Sequence, residues 1–221
     1  MTTLPDWSYD PMYLPSVLDL SELNWRQKDD FMAHNPLGTS FQILNKEYVA
    51  SLSVKLIDII DWINQSTIKI LEVWAWNGRL THFLRQKCLK KWFDGDMDFL
   101  STDDYSWFWY WNPEINMHEN NCLNVEQINT ENSIKKYNPD IIISSWMPNG
   151  IDWTTHFRGN ENTKWYVLIW YPEQCWTRES WEEIDWFKRE IFRADGNFSW
   201  RNRFLVRKSE DSIAALFSRE T

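Results

Sequence analysis

A chain of 221 residues is long enough to bury the core of one α/β domain with decoration, without disulfides or metals. Its net charge of −9 argues against a protein that grips a phosphate backbone. Three widely spaced cysteines, Cys88, Cys122 and Cys175, form no CxxC pair, which excludes a zinc knuckle or disulfide framework and fits a reducing cytoplasm.

The first fifteen residues, with Pro5, Pro11 and Pro15, read as an irregular lead-in. They lack the charged-then-apolar order of a signal peptide, and no apolar run approaches the roughly 18 residues of a membrane span. Asp19 to Ala33 has helical spacing, with Ser21 as the expected N-cap. "HNPLGTS" breaks it, so residues 1–44 form a lead-in and helical cap ahead of a main domain at 45–221. Asn45 to Ile63 places Val49, Leu52, Leu56, Ile59, Ile60 and Ile63 on one face of an amphipathic helix.

Ile68–Val73 is a short apolar strand, and Leu80–Lys91 is a helix. "GDMDFLSTDD" is a second strand ending in two acids, Asp103 and Asp104, before a loop-like aromatic stretch. "SIKKYNPDIIISSW" gives a short helix and then a strand at Asp140–Trp146; Lys164–Trp170 is the next strand. Glu179 to Phe192 has apolar residues at helical spacing. Asn202–Arg207 and Ser212–Ser218 read as a closing antiparallel hairpin. Strands alternating with helices imply a parallel sheet covered on both faces.

"ILEVWAWNGRL", Ile70 to Leu80, resembles motif I of the class I S-adenosylmethionine (SAM)-dependent methyltransferases. Glu72 stands where that family has an acid, and Gly78 where it has its last glycine; Trp74 and Trp76 stand in place of the first two. Asp103, with Asp104 beside it, stands where the family holds the cofactor's ribose hydroxyls. "DIIISSWMPNG" is similar to the family's fourth strand and the motif trailing it. The resemblance implies a Rossmann-like, mostly parallel seven-stranded sheet with helices on both faces and a C-terminal antiparallel hairpin. It implies SAM as cofactor, held by Glu72, Trp74, Ala75, Trp76, Asn77, Gly78, Asp103, Asp104, Ser144 and Ser145.

The stretch after the fourth strand makes Trp146, Asp152, Trp153 and His156 candidates for contacting the methyl acceptor, against the plain alternative of a packed loop. Methyl transfer is a direct displacement, so no catalytic residue is marked by sequence. The four histidines have no metal-ligand spacing, and no metal is expected. A small molecule or a protein is the expected acceptor. Two other readings stand beside this one: a non-catalytic scaffold whose cleft is filled by indoles, and an NAD-dependent oxidoreductase, since a glycine turn and a strand-end acid serve that cofactor too.

The chain has 6 glycines and 17 tryptophans, against an average glycine share of about 7%. Trp74, Trp76, Trp92, Trp109, Trp111, Trp170 and Trp176 all stand where glycine would suit, whereas Trp25, Trp146, Trp153 and Trp181 read as ordinary aromatics. Drift would scatter glycine into many residue types. Replacement by tryptophan alone points to UGA codons read as tryptophan where the source organism reads glycine.

Overall fold

The computed structural model describes residues 4–6, 10, 12–33, 42–63, 66–90, 97–106, 123–145, 147, 150–170, 177–182, 186–192, 198–199 and 213–220. Two short helices open the chain, α1 (Val17–Glu22) and α2 (Trp25–Ala33), followed by a two-residue strand β1 (Gln42–Ile43) and the long helix α3 (Lys46–Trp62). Then come β2 (Ile68–Val73), α4 (Arg79–Cys88), β3 (Met97–Asp103), β4 (Val125–Gln127), α5 (Thr130–Tyr137) and β5 (Ile141–Ser145). The order ends with α6 (Thr154–Gly159), β6 (Trp165–Trp170), β7 (Phe187–Phe192), β8 (Phe198–Ser199) and β9 (Ile213–Arg219).

Seven strands form one sheet in the order β4-β3-β2-β5-β6-β9-β7. β4, β3, β2, β5 and β6 run parallel, while β9 lies antiparallel to both of its neighbours, β6 and β7. This is the Rossmann-like α/β architecture expected from the sequence. The antiparallel strand wedged into the sheet also separates it from the doubly wound dinucleotide fold, whose six strands follow the order 3-2-1-4-5-6. The oxidoreductase reading loses its footing there.

Alternation along the strands sorts the core into two layers. Ile68, Ile70, Ile141 and Ile143 pack with Leu52, Leu56 and Ile60 of α3 and with Leu80 and Leu84 of α4. Leu71, Val73, Ile142 and Leu168 pack on the other face with Ile134 of α5 and Phe157 of α6. Buried side chains line α3 at Tyr48, Val49, Leu52, Ser53, Leu56, Ile59 and Ile60, and Asn45 caps it by accepting from the Tyr48 N–H at 2.9 Å.

Three sequence expectations need correction. The first helix begins two residues before Asp19, because Ser16 and Asp19 form a reciprocal capping box. Ser21 is not a cap; its hydroxyl donates to the Leu18 carbonyl. The helical run then breaks at Leu23–Asn24, where the Asn24 and Gln27 side chains cap a new start.

Second, the described residues of Glu179–Phe192 form no helix. The last six residues of that stretch are the edge strand β7, hydrogen-bonded to β9, with Phe187 buried at 4% exposure. Tyr166 holds it there: its ring lies 5.1 Å from Phe187 and is stacked on Phe217 at 4.5 Å. Third, the last strand finds its antiparallel partners in β6 and β7; Asn202–Arg207, the expected partner, lies outside the described residues. The three-residue strand β4 was not anticipated at all.

The lead-in is fastened to the main sheet's helices. Leu14 joins the core layer under α3, the Lys46 N–H donates to the Pro15 carbonyl at 2.8 Å, and the Val17 N–H donates to Glu47 at 2.8 Å. No described helix is long and apolar enough to cross a membrane.

Candidate functional site

The parallel strands deliver their carboxyl ends to one edge, and β2 ends there in the turn Trp74–Gly78. Trp74, Trp76 and Gly78 all have left-handed backbones, with φ of 60°, 53° and 71°. The alternate places of the turn therefore take the conformation that glycine tolerates and that costs other residues roughly 1–2 kcal/mol each. The turn is pinned on every side. The Ala75 N–H donates to the Thr102 carbonyl at 3.0 Å, the Trp76 N–H to Asp103 Oδ2 at 2.8 Å, and the Leu123 N–H to the Asn77 carbonyl at 3.0 Å.

Gly78 cannot carry a side chain. A Cβ there would lie 2.5 Å from the Leu123 carbonyl oxygen and 2.8 Å from Val125 Cγ2. Trp74 is buried at 5% exposure, and its ring centroid lies 4.8 Å from that of Trp153, tilted by 47°. The two indoles so pack against each other. Trp76 is half-buried.

Two carboxyls flank the turn, both buried. Glu72, at 3% exposure, accepts from the Thr81 N–H at 3.1 Å and from the Thr81 hydroxyl, which ties β2 to α4. Burial pushes its pKa up from 4.5 to about 8, against the Thr81 hydrogen bonds and with a small push from Asp103. Asp103, at 5% exposure, accepts from Trp76 N–H and, at 2.7 Å, from Tyr105 N–H. Burial raises its pKa to about 7, although both backbone bonds oppose this. Asp104 caps its own turn by accepting from the Ser106 N–H at 2.9 Å.

At the end of β5, Ser144 and Ser145 are buried and neither hydroxyl has a hydrogen-bond partner among the described residues. Hydroxyls in that state at a strand's carboxyl end are what a polar ligand would complete. Trp146 lies outside the described residues. Asp152 turns inward. It accepts from the Thr154 N–H at 2.9 Å, the Thr154 hydroxyl at 2.5 Å and the Ser180 hydroxyl at 2.9 Å, and sits 3.7 Å from Arg158. Trp153 faces Trp74, and His156 is half-buried on α6. No group of three or more His, Cys, Asp or Glu side chains that could hold a metal occurs among the described residues.

The structure thus brings Glu72, the Trp74–Gly78 turn, Asp103 and Trp153 together. Two residues of this neighbourhood escaped the sequence reading. Thr81 sits nine positions beyond Glu72, a separation that a strand, a tight turn and one helical turn bring into contact. Arg79, the first residue of α4, is 5% exposed and donates from Nη2 to the Tyr13 carbonyl at 2.9 Å. An arginine early in a helix gave no sign of being covered.

No protein-family model matches the sequence, and no curated protein matches it. Solved structures with a similar course of chain include the CurJ carbon methyltransferase, at 13% identity and a TM-score of 0.48 over 78% of this chain and 54% of that one. The citrinin polyketide synthase CMeT domain is similar at 10% identity, TM-score 0.49, over 92% and 59%. The plantazolicin methyltransferase BpumL, in complex with a monoazolic desmethylPZN analog and SAH, is similar at 10% identity, TM-score 0.46, over 91% and 92%. This chain spans little more than half the length of the first two. At such identities and TM-scores nothing about activity or substrate passes from them to this chain.

Proposed function

We propose that the protein is a SAM-dependent methyltransferase whose working form has glycine at positions 74 and 76. The observation that carries this reading is the left-handed backbone at Trp74, Trp76 and Gly78 in a single strand–turn–helix passage. A sequence that wanted tryptophan there would not be held in the conformation least suited to it. The reading of UGA as glycine accounts for both the two bulky residues and the skewed composition.

Bound SAM would supply a methyl group on a sulfonium, ready for direct displacement by an acceptor atom. Asp103, at the end of the strand next to the turn, would accept from ribose hydroxyls. With the Trp74 indole gone, the backbone of residues 74–78 could approach the ligand closely. Ser144 and Ser145 offer two unused hydroxyls from β5. Glu72 faces Thr81, so its part is to fix the start of α4 against β2. The chain's task is positioning and exclusion of water, which direct displacement needs most.

The acceptor is a small molecule or a protein; the charge of −9 disfavours nucleic acid. Trp153 and His156 stand on the acceptor side, with Asp152 bracing their segment. The protein works in the cytoplasm. A second reading, a scaffold without a cofactor, draws on the burial of Trp74 against Trp153, since genuine indoles would close the cleft.

Calorimetric titration of SAM and NAD into the parent chain and into the Trp74→Gly, Trp76→Gly double variant separates these readings. SAM binding by the double variant alone is expected. No binding by either protein supports the scaffold, and NAD binding would revive the oxidoreductase. The gene's codons give a parallel test: UGA at 74, 76, 170 and 176, with UGG at 25, 146 and 153, is expected.

A further inference from the structure

We propose that the outward face of α3 and α4 is a self-complementary interface whose occupant is a second copy of this chain. The inference stands apart from the methyltransferase reading, because its residues lie outside the turn and its flanking acids. On one face of the sheet α3 packs beside α4, with Leu52, Leu56 and Ile60 of the first and Leu80 and Leu84 of the second in one core layer. α3 leads into β2 and α4 into β3, and those strands are parallel. The two helices therefore run the same way and end at the same level.

Their outward faces carry opposite charge. From Arg79 to Lys91 the chain has five Lys and Arg residues and no acid, within a protein of net charge −9. Arg85, Gln86 and Lys90 are exposed and Lys87 is half-buried. His82, on the same helix, is held below its usual pKa first by burial and then by the guanidiniums of Arg79 and Arg85, which marks a positive field there. On α3, Asp58 and Asp61 are exposed beside Val54, at 60% exposure, and Trp62, at 83%. Trp62 closes a right-handed helix, so it is not one of the glycine-like places.

Elsewhere the protein pairs its lysines: Lys55 with Glu190, Lys135 with Glu131, Lys136 with Glu126 and Lys188 with Glu220. Asp58, Lys87 and Lys90 make no hydrogen bond or ion pair among the described residues. α3 has no basic residue in its last turn, where Asp61 sits at the negative end of the helix dipole. Cations arriving from outside the helix would relieve that arrangement.

A two-fold axis parallel to the helices sets α3 of one protomer against α4 of its partner, twice over. Asp58 and Asp61 then meet the partner's Arg85, the partner's Lys87 and the partner's Lys90 at a matching level, and Val54 and Trp62 are covered. A long polyanion fits this face less well, because the acids of α3 flank the basic strip. The two helices, of 17 and 10 residues, are about 25 and 15 Å long, small for a stable interface, so the dimer is expected at micromolar affinity.

Analytical ultracentrifugation of the parent chain tests this. Between about 1 and about 200 µM the 26.9 kDa monomer should give way to twice that mass. Asp58→Lys with Asp61→Lys on one chain, or Lys87→Glu with Lys90→Glu on another, should each weaken self-association by about 100-fold or more, because like charges then face each other. Mixed together, the two variants should associate again with parent-like affinity, since each then meets a partner of opposite charge on both halves of the interface. Trp62→Ser, which changes no charge, should weaken the parent dimer by about 10-fold.

A parent that stays monomeric throughout overturns the proposal, as does a parent dimer that neither charge reversal nor Trp62→Ser weakens. Failure of the mixture to associate, with the urea midpoints of both variants unchanged, overturns it too, because the acids and bases then do not meet. A monomeric parent that binds a short labelled RNA, and loses it on Lys87→Glu with Lys90→Glu, would assign the strip to a polyanion instead.

Discussion

Two passages leave the carboxyl edge of the sheet from neighbouring strands, and they are in opposite condition. After β2, three residues out of five are left-handed, two of them tryptophans, and the surrounding groups are two buried acids and a buried arginine whose Nε has no hydrogen-bond partner among the described residues. In the segment approaching α6, Asp152 accepts from Thr154 and Ser180 and sits 3.7 Å from Arg158, and the Trp153 N–H reaches Met147 Sδ at 3.3 Å. The first passage stores backbone strain and buried charge; the second is tied together around Asp152, while the hydroxyls of Ser144 and Ser145 and Nη1 of Arg158 stay buried without a hydrogen-bond partner among the described residues. Strain and unmet charge persist only where the surroundings over-determine them, and that is characteristic of a place where something else is meant to bind.

The largest effect should come from pH acting on Glu72. In the unfolded chain this carboxyl ionises near 4.5, whereas in the folded protein it stays neutral up to about 8. Between those values the unfolded state binds fewer protons, so folding stability falls as pH rises through this window and levels off above it. At 1.36 kcal/mol per unit, the loss is on the order of 4 kcal/mol by pH 8. Glu72→Gln keeps an acceptor for Thr81 and cannot ionise. Its urea stability should match the parent near pH 4 and exceed it by that amount at pH 8. Parallel curves for the two proteins would mean that Glu72 is charged when folded, and the contrast between the passages would lose its strongest member.

Next in size is Gly78→Ala, which should cost about 3 kcal/mol, because the positive φ and the contact with the Leu123 carbonyl oxygen act together. A backbone atom cannot step aside as a flexible side chain could. A loss under about 1 kcal/mol would show that the turn yields and that its left-handed residues are not firmly imposed.

Much of this arrangement was legible in the sequence. The strand Ile68–Val73, the following helix and the acid ending β3 stood out because a strand buried on both faces and an amphipathic helix differ in period, and because paired acids at a strand end are uncommon. What failed did so for physical reasons. Trp181, Ile184, Phe187 and Ile191 suit a helical period, and the hydrogen bonds that make β7 a strand come from β9, at the far end of the chain. β4 has three residues, too few to show a period. Arg79 drew no expectation from the sequence, and its partner Tyr13 lies 66 positions away. Trp153 reads as an ordinary aromatic until its distance from Trp74 is known.

The smallest effect separates the two tryptophans from each other and sharpens the comparison most finely. Both are left-handed, so each glycine substitution relieves roughly 1–2 kcal/mol of backbone strain, less about 0.5 kcal/mol or more for the added freedom of the unfolded chain. Trp76 is half-buried, and its hydrogen bond to Asp103 comes from the backbone N–H, which glycine keeps. Trp76→Gly should therefore raise stability by about 1 kcal/mol. Trp74 is 5% exposed and packs on Trp153, so removing its indole opens a cavity costing about 3 kcal/mol or more. Trp74→Gly should lower the stability of the ligand-free protein and restore it when S-adenosylhomocysteine fills the space. Urea midpoints at unchanged slope measure both. If Trp74→Gly stabilised the ligand-free protein as Trp76→Gly does, the Trp74 indole would not be plugging a cleft, and closure of the site would need another cause.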